Sequence, residues 1–335
     1  MPVTASVDEI ADRAAELTRM RVPYVHARVV LAQRPTSAKP GDQALVLPDG
    51  SMEGFVGGDC AESTVRAQSL ALLDSGDSLL LRITPEPEAE PQEAVAGTLS
   101  VHNPCLSGGT LEIFLEPRRP PPLVVVEGDT PIARALLAIG RPLGYELVRH
   151  SGALPADAAA VVVASHGRDE ADLLREAVAA QVPYIGLVAS PKRGSAVVAS
   201  LDLDDQPVTA LPMPGTSLAS PGRSAIHTPA GLDIGARTPE EIALSILADI
   251  VARRPRPTGR TALVDPSAGA AAAHPPVASQ ASDPVCGMTV AAVDSSLHLE
   301  HDGTRYYFCG SGCLRAFAAD PAGFGADGAE TVPAR

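Results

Sequence analysis

Leu123-Val124-Val125-Val126-Glu127-Gly128-Asp129-Thr130-Pro131 decides the fold. Four apolar residues in a row read as a short strand buried on both faces, and the glycine turn after them opens a helix predicted over 132–139. The alternation then repeats. Glu146–Arg149 is the next strand, Ala160–Ala164 a third, and Ser165-His166-Gly167-Arg168-Asp169 leads into a helix over Glu170–Ala180 and the strand Tyr184–Val188. Repeated strand-turn-helix units indicate a doubly wound parallel sheet, whose ligands bind at the carboxyl ends of the strands. His166, Asp169, Ser190, Lys192 and Arg193 are expected at that end. Thr238-Pro239-Glu240-Glu241 starts a further helix with a threonine cap and proline at its first position, striped by Ile242, Ile246, Leu247, Ile250 and Val251.

The first turn of this sheet departs from a dinucleotide fingerprint. Thr130 stands where the second glycine would let a pyrophosphate approach the backbone, and Val148-Arg149-His150 ends the second strand without a ribose-binding acid. The expectation is a Rossmann-like scaffold, with an NAD(P)-dependent oxidoreductase as the third-ranked reading. Gly128 stays a candidate cofactor contact as the residue of the tight turn.

Upstream lies an α+β domain expected over residues 1–118. Ser6-Val7-Asp8-Glu9 is a capping box opening a helix, and strands follow at Tyr24–Leu31, Gln43–Leu47 and Leu79–Ile83, then Thr110–Leu115. Between them, Gly57-Gly58-Asp59-Cys60-Ala61-Glu62 hands a glycine turn over to a helix closed by Gly76. A thiol there sits among unpaired backbone N–H groups at the positive end of the helix dipole, a setting that attracts anions and favours thiolate. Cys60 is therefore either a reactive, solvent-reachable thiolate or a small residue buried behind a turn. Cys105, beside Gly108-Gly109, is either its functional companion or a structural thiol.

The 335 residues carry 40 acidic against 26 basic side chains, a net charge of -14, which opposes a nucleic-acid-binding surface. No apolar run has the length of a membrane span, and the first residues lack a secretory signal, so a cytoplasmic protein is expected. Hydrophobic residues make up 45% of the chain but aromatics only 3%, so aliphatic side chains must build the cores.

The Rossmann-like domain is expected over 121–256, a Pro-, Ala-, Ser- and Gly-rich flexible linker over 257–281, and a small α+β module over 282–326. That module holds three of the five cysteines. Cys309 and Cys313 lie one helical turn apart, and Cys286 can fold back to join them. Three thiolates suit Zn or Cu; a fourth ligand is not obvious, and His298 and His301, flanking a hairpin at Asp302-Gly303, are candidates for it. The alternative is an interaction module without metal.

Several motifs together resemble the XdhC/CoxI family. They are Lys39-Pro40-Gly41, Asp49-Gly50, Gly57-Gly58-Asp59-Cys60-Ala61-Glu62, Cys105 with Gly108-Gly109, His166 with Asp169, Tyr184-Ile185-Gly186-Leu187, and the run from His227 to Gly235 with Thr238–Ala248. Asp59 departs from the pattern, standing where a third glycine is common. Residues 283–321, from Asp283-Pro284-Val285-Cys286-Gly287-Met288 to Asp320-Pro321, resemble a YHS domain, a module associated with heavy-metal handling.

The resemblance implies a maturation factor, not a turnover enzyme. Such a protein binds molybdenum cofactor, supports its sulfuration with a cysteine desulfurase, and delivers it to the apo-enzyme of a molybdenum hydroxylase of the xanthine or carbon-monoxide dehydrogenase type. Cys60 would contact cofactor or sulfur, with Gly57, Gly58, Asp59, Glu62, Cys105, Gly128, His166 and Asp169 around the cofactor, and Cys286, Cys309 and Cys313 as metal ligands. A homodimer is compatible with this reading. The second-ranked alternative is a metal sensor or metallochaperone acting through the cysteine module.

Overall fold

The computed structural model describes residues 6–85, 96–102, 109–165, 167, 170–201, 226–253 and 280–324. They belong to two units: residues 1–120 with 257–335, and residues 121–256.

In the first unit, the capping box works as the sequence suggests. The Ser6 hydroxyl accepts from the Glu9 N–H and the Glu9 carboxylate accepts from the Ser6 N–H, starting α1 (Val7–Arg19). Ile10 and Leu17 of α1 pack with Tyr24 and Leu45. Strands β1 (Tyr24–Ala32), β2 (Gln43–Val46), β3 (Met52–Gly54), β4 (Leu79–Thr84), β5 (Thr98–His102) and β6 (Leu111–Arg118) form a six-stranded sheet in the order β3-β2-β1-β6-β4-β5. Its main core gathers Val25, Ala27 and Val29 of β1 with Leu81, Ile83, Ile113 and Leu115 under α2 (Asp59–Ser75). Gly76, in the left-handed conformation, ends α2. The edge strand β5, parallel to β4, was not expected, although Thr98-Leu99-Ser100-Val101-His102 alternates as a half-buried strand should.

The second unit is the doubly wound sheet. β7 (Leu123–Glu127), β8 (Glu146–Arg149), β9 (Ala158–Val163), β10 (Ile185–Leu187) and β11 (Ile226–His227) are all parallel, in the order β11-β10-β9-β7-β8. Side-chain alternation divides the sheet between two cores. Val124, Val126, Ala160 and Val162 face α3 (Pro131–Ile139) and α6 (Pro239–Arg253). Val125, Val161 and Val163 face α4 (Glu170–Ala179), joined by Val197 and Val198 of α5 (Pro191–Ser200). Helix α5 was not read from the sequence, because Gly194 and two serines interrupt its pattern.

The C-terminal module belongs to the first unit. β12 (Gln280–Ser282) pairs with β13 (Thr289–Ala291), and β14 (Leu297–His301) pairs with β15 (Thr304–Phe308) across the Asp302-Gly303 turn. Both turn residues have positive φ, 50° and 76°, as a two-residue hairpin of this type requires. Helix α7 (Ser311–Ala319) and the short α8 (Pro321–Phe324) follow. Phe317 anchors the module, with Tyr306 and Phe308 rings 4.7 and 5.4 Å away.

Candidate thiol site

The first half of the site is the start of α2. Gly57 has φ +152°, and a Cβ there would meet Ala61 Cβ at 2.8 Å, so the turn before the helix needs glycine. Gly58 is the N-cap and supplies no side-chain hydrogen bond. Asp59 and Cys60 therefore stand in the first turn of a 17-residue helix whose positive end no side chain caps. The Cys60 carbonyl accepts from Thr64 Oγ1 at 3.0 Å. Burial pushes the Glu62 carboxyl up from its ordinary value, against the pull of Arg66 and with the repulsion of Asp59.

The second half comes from the C-terminal module. Asp283, 1% exposed, ties its loop together: Oδ1 accepts from Val285 N at 2.9 Å, Oδ2 from Cys309 N at 2.8 Å, and its carbonyl from Gly287 N at 2.8 Å. This fixes Cys286 over the start of α7. Cys286 Sγ lies 3.5 Å from Cys309 Sγ, which lies 3.7 Å from Cys313 Sγ. One donor atom each from Asp283, Cys286, Cys309 and Cys313 fits within 4.8 Å. The Cys309 thiol donates to Cys286 and holds that thiol's pKa down. The same hydrogen bond, together with contact to Cys60 and burial, drives Cys309 up. Burial pushes Cys313 up to about 12. One sulfur of the group thus carries charge more readily than its neighbours.

The two halves meet. Ser311 N donates to Asp59 Oδ2 at 3.2 Å, and Ser295 Oγ donates to the Asp49 carbonyl at 2.9 Å. Ala67 and Leu70 of α2 pack with Ala291 and Val293. Cys60 itself packs against the cluster of Met288, Val290, Tyr307 and Cys309. A Cβ on Gly310 would lie 3.5 Å from Cys60 Sγ. Cys60 stands between the two alternatives the sequence leaves open: it is half-buried, neither fully exposed nor sealed, and packs beside the thiol cluster. The reason is that the outer side of α2 carries small and apolar residues and so accepts the module.

The two candidate histidines have other partners. His298 Nδ1 bonds the Ser296 carbonyl at 2.8 Å, and His301 stands edge-on to Phe317 and 3.5 Å from Asp302. Neither belongs to the donor group, and Asp283 lies there instead. Its only sequence signal was the Asp-Pro that opens the YHS-like motif.

The second unit holds candidates of its own. Gly128 has φ +106°, and a Cβ there would lie 2.5 Å from the Ala164 carbonyl. Thr130 Oγ1 accepts from Ala133 N and donates to the Ala164 carbonyl at 2.8 Å, so its only proton is committed within the turn. Ser190 caps α5, Lys192 is exposed, and Arg193 binds both oxygens of the buried Glu170. His227 stacks on Tyr184 at 4.9 Å, and burial pulls its pKa down. Cys105, His166 and Asp169 lie outside the described residues.

Among the described residues, no helix is long and apolar enough to cross a membrane. Residues 17–84 match the XdhC and CoxI family, residues 124–250 the XdhC Rossmann domain, and residues 281–326 the YHS domain. An Escherichia coli (strain K12) relative described as the uncharacterized protein YqeB is 24% identical over 270 residues, 72% of this chain. The match covers 46% of that relative, so the chain spans about half its length. A Bacillus halodurans crystal structure titled a xanthine dehydrogenase superposes with a TM-score of 0.32 at 14% identity, covering 74% of this chain and 97% of that one.

Proposed function

We propose that this protein, which carries both XdhC segments and a YHS domain, is an accessory factor that binds molybdenum cofactor, supports its sulfuration and delivers it to a molybdenum hydroxylase. The observation carrying the proposal is Cys60 at the uncapped start of α2. When bound, the cofactor supplies a thiophilic metal and an anionic phosphate, and this donor set fits both: a thiol for the metal, and N–H groups of the 57–60 turn for the phosphate. Cys60 would hold the metal or the transferred sulfur, and Gly57 and Gly58 would let the phosphate come close. Asp59 and Glu62 add negative charge around it, and Cys105, Gly128, His166 and Asp169 remain candidates for the rest of the cofactor. A cysteine desulfurase and the apo-hydroxylase are the partners this role requires.

Purified protein loaded with molybdenum cofactor tests the reading. Cys60→Ala should lower both cofactor retention and client activation at least about tenfold, the weight of roughly one good interaction. Equal retention and equal activation by both proteins would overturn it.

The thiol group of the C-terminal module favours a second reading, a metal-handling protein acting through Cys286, Cys309 and Cys313. Full-length Cys286→Ser separates the two. If it still activates a molybdenum hydroxylase, the module is auxiliary; if metal transfer is the sole activity and is lost, the second reading replaces the first.

A further inference from the structure

We propose that Cys60 is the fourth thiolate of a metal site completed with Cys286, Cys309 and Cys313, so that one thiophilic ion staples the C-terminal module onto α2. Within the module the group offers three sulfurs and Asp283. Asp283 is poorly placed to be a ligand, because each of its carboxylate oxygens already accepts a backbone N–H, from Val285 and from Cys309. Those bonds orient the thiols from behind, as an outer-shell carboxylate does. A further sulfur lies beside the group: Cys60 packs against the cluster that holds Cys309, a Cβ on the adjoining Gly310 would lie 3.5 Å from its Sγ, and Cys309 is itself 3.5 and 3.7 Å from Cys286 and Cys313. Tetrahedral zinc with bonds of about 2.3 Å sets sulfur atoms about 3.8 Å apart, so the Cys286–Cys309 and Cys309–Cys313 separations already match two edges of such a tetrahedron, and the Cys60 sulfur has to move in to complete it.

Charge points the same way. Four thiolates around a divalent ion leave a net negative site. Two helix starts converge on it, since Cys60 is the second residue of α2 and Cys313 the third of α7, and neither N-cap residue, Gly58 or Gly310, supplies a side-chain hydrogen bond. Their positive ends offset the surplus negative charge. The apolar contact of Ala67 and Leu70 with Ala291, and the Ser311–Asp59 bond, already hold the two parts in register. Sulfur donors alone select Zn(II) or Cu(I) over harder ions.

This site stands on its own geometry and goes beyond the molybdenum reading; a Cys60 thiolate held by this ion is not free for a molybdenum centre, so the two occupants would alternate there. The test uses reduced, full-length protein loaded with zinc in the absence of any molybdenum cofactor, so its failure leaves that reading untouched. X-ray absorption should count four sulfurs around zinc in the native protein and three in both Cys60→Ser and Cys286→Ser. Zinc affinity of Cys60→Ser should fall more than about a hundredfold, beyond the effect of losing an outer-shell partner. Three sulfurs in the native protein, no zinc binding, or an unchanged sulfur count and affinity in Cys60→Ser would each overturn it.

Discussion

Among the described residues, the glycine turns at Gly57-Gly58 and at Gly128-Asp129 both feed helices, and only the second is closed by its own neighbours. At the start of α3, Thr130 bonds both Ala133 N and the Ala164 carbonyl. Asp129 is held by Arg134 and Arg149, and the Arg134 hydrogen bond pulls its carboxyl below the usual range. At the start of α2 the cap is glycine, and the groups that meet the helix come from the far end of the chain, through Ser311, Gly310 and Cys309. A glycine turn before a helix therefore marks a helix start of defined geometry, and the cap residue decides whether that start is self-sealed or available to something else.

The largest expected effect breaks the sealed turn. Gly128→Ala puts a methyl 2.5 Å from the Ala164 carbonyl at φ +106°, and should destabilise the second unit by about 3 kcal/mol in denaturant unfolding. Gly58→Ala, with φ −76° and no heavy atom within 4 Å of the new Cβ, should cost about 0.5 kcal/mol, the difference between glycine and alanine as a cap. Similar costs for the two alanines would remove the contrast.

Next in size is the face of α2 that the C-terminal module covers. Leu70→Asp places a carboxylate against Ala291 and should weaken docking by about 2 kcal/mol, seen as faster hydrogen exchange over 280–324 while the six-stranded sheet stays protected. Unchanged exchange there would mean that the module is not held by this face. Thr130→Ala, which strips α3 of its own cap, should cost about 1–2 kcal/mol, and Asp59→Ala, which removes one exposed bond to Ser311, less than about 1 kcal/mol of docking. Thermal unfolding and exchange rates, respectively, measure them.

The same contrast explains what the sequence made legible. Helix α3 was readable because Val124-Val125-Val126 and the turn after it are local signals, with each alternate valine committed to one core. The capping box of α1, the Asp302-Gly303 hairpin and the Cys309–Cys313 spacing were readable for the same reason. The Cys60–Cys309 meeting was not, because it joins residues about 250 apart through small side chains such as Ala67 and Ala291, which carry no periodic signature. Helix α2 reads as an ordinary one-sided helix in Val65, Leu72 and Leu73, yet Ser63, Thr64 and Ser69 are buried as well. The second covered face thus lies on small and hydroxyl side chains, which a search for an apolar stripe passes over. Strand β11 is only two residues long and escaped any pattern.

The smallest effect tests the electrostatics of the unsealed turn. Glu62 lies half-buried two residues after Cys60, and burial lifts its carboxyl above the ordinary value. A carboxyl that keeps its proton longer in the folded chain contributes stability fully present below the unfolded value, near about 4.3, and lost as pH rises through the folded one. Glutamine carries no charge at any pH, so Glu62→Gln should match the native Tm at about pH 4 and exceed it slightly at about pH 7. A Tm difference that does not change with pH would mean that solvent, or Arg66, already neutralises the cost of that charge. The start of α2 would then be no more sheltered than that of α3, whose acid, Asp129, is exposed and ion-paired.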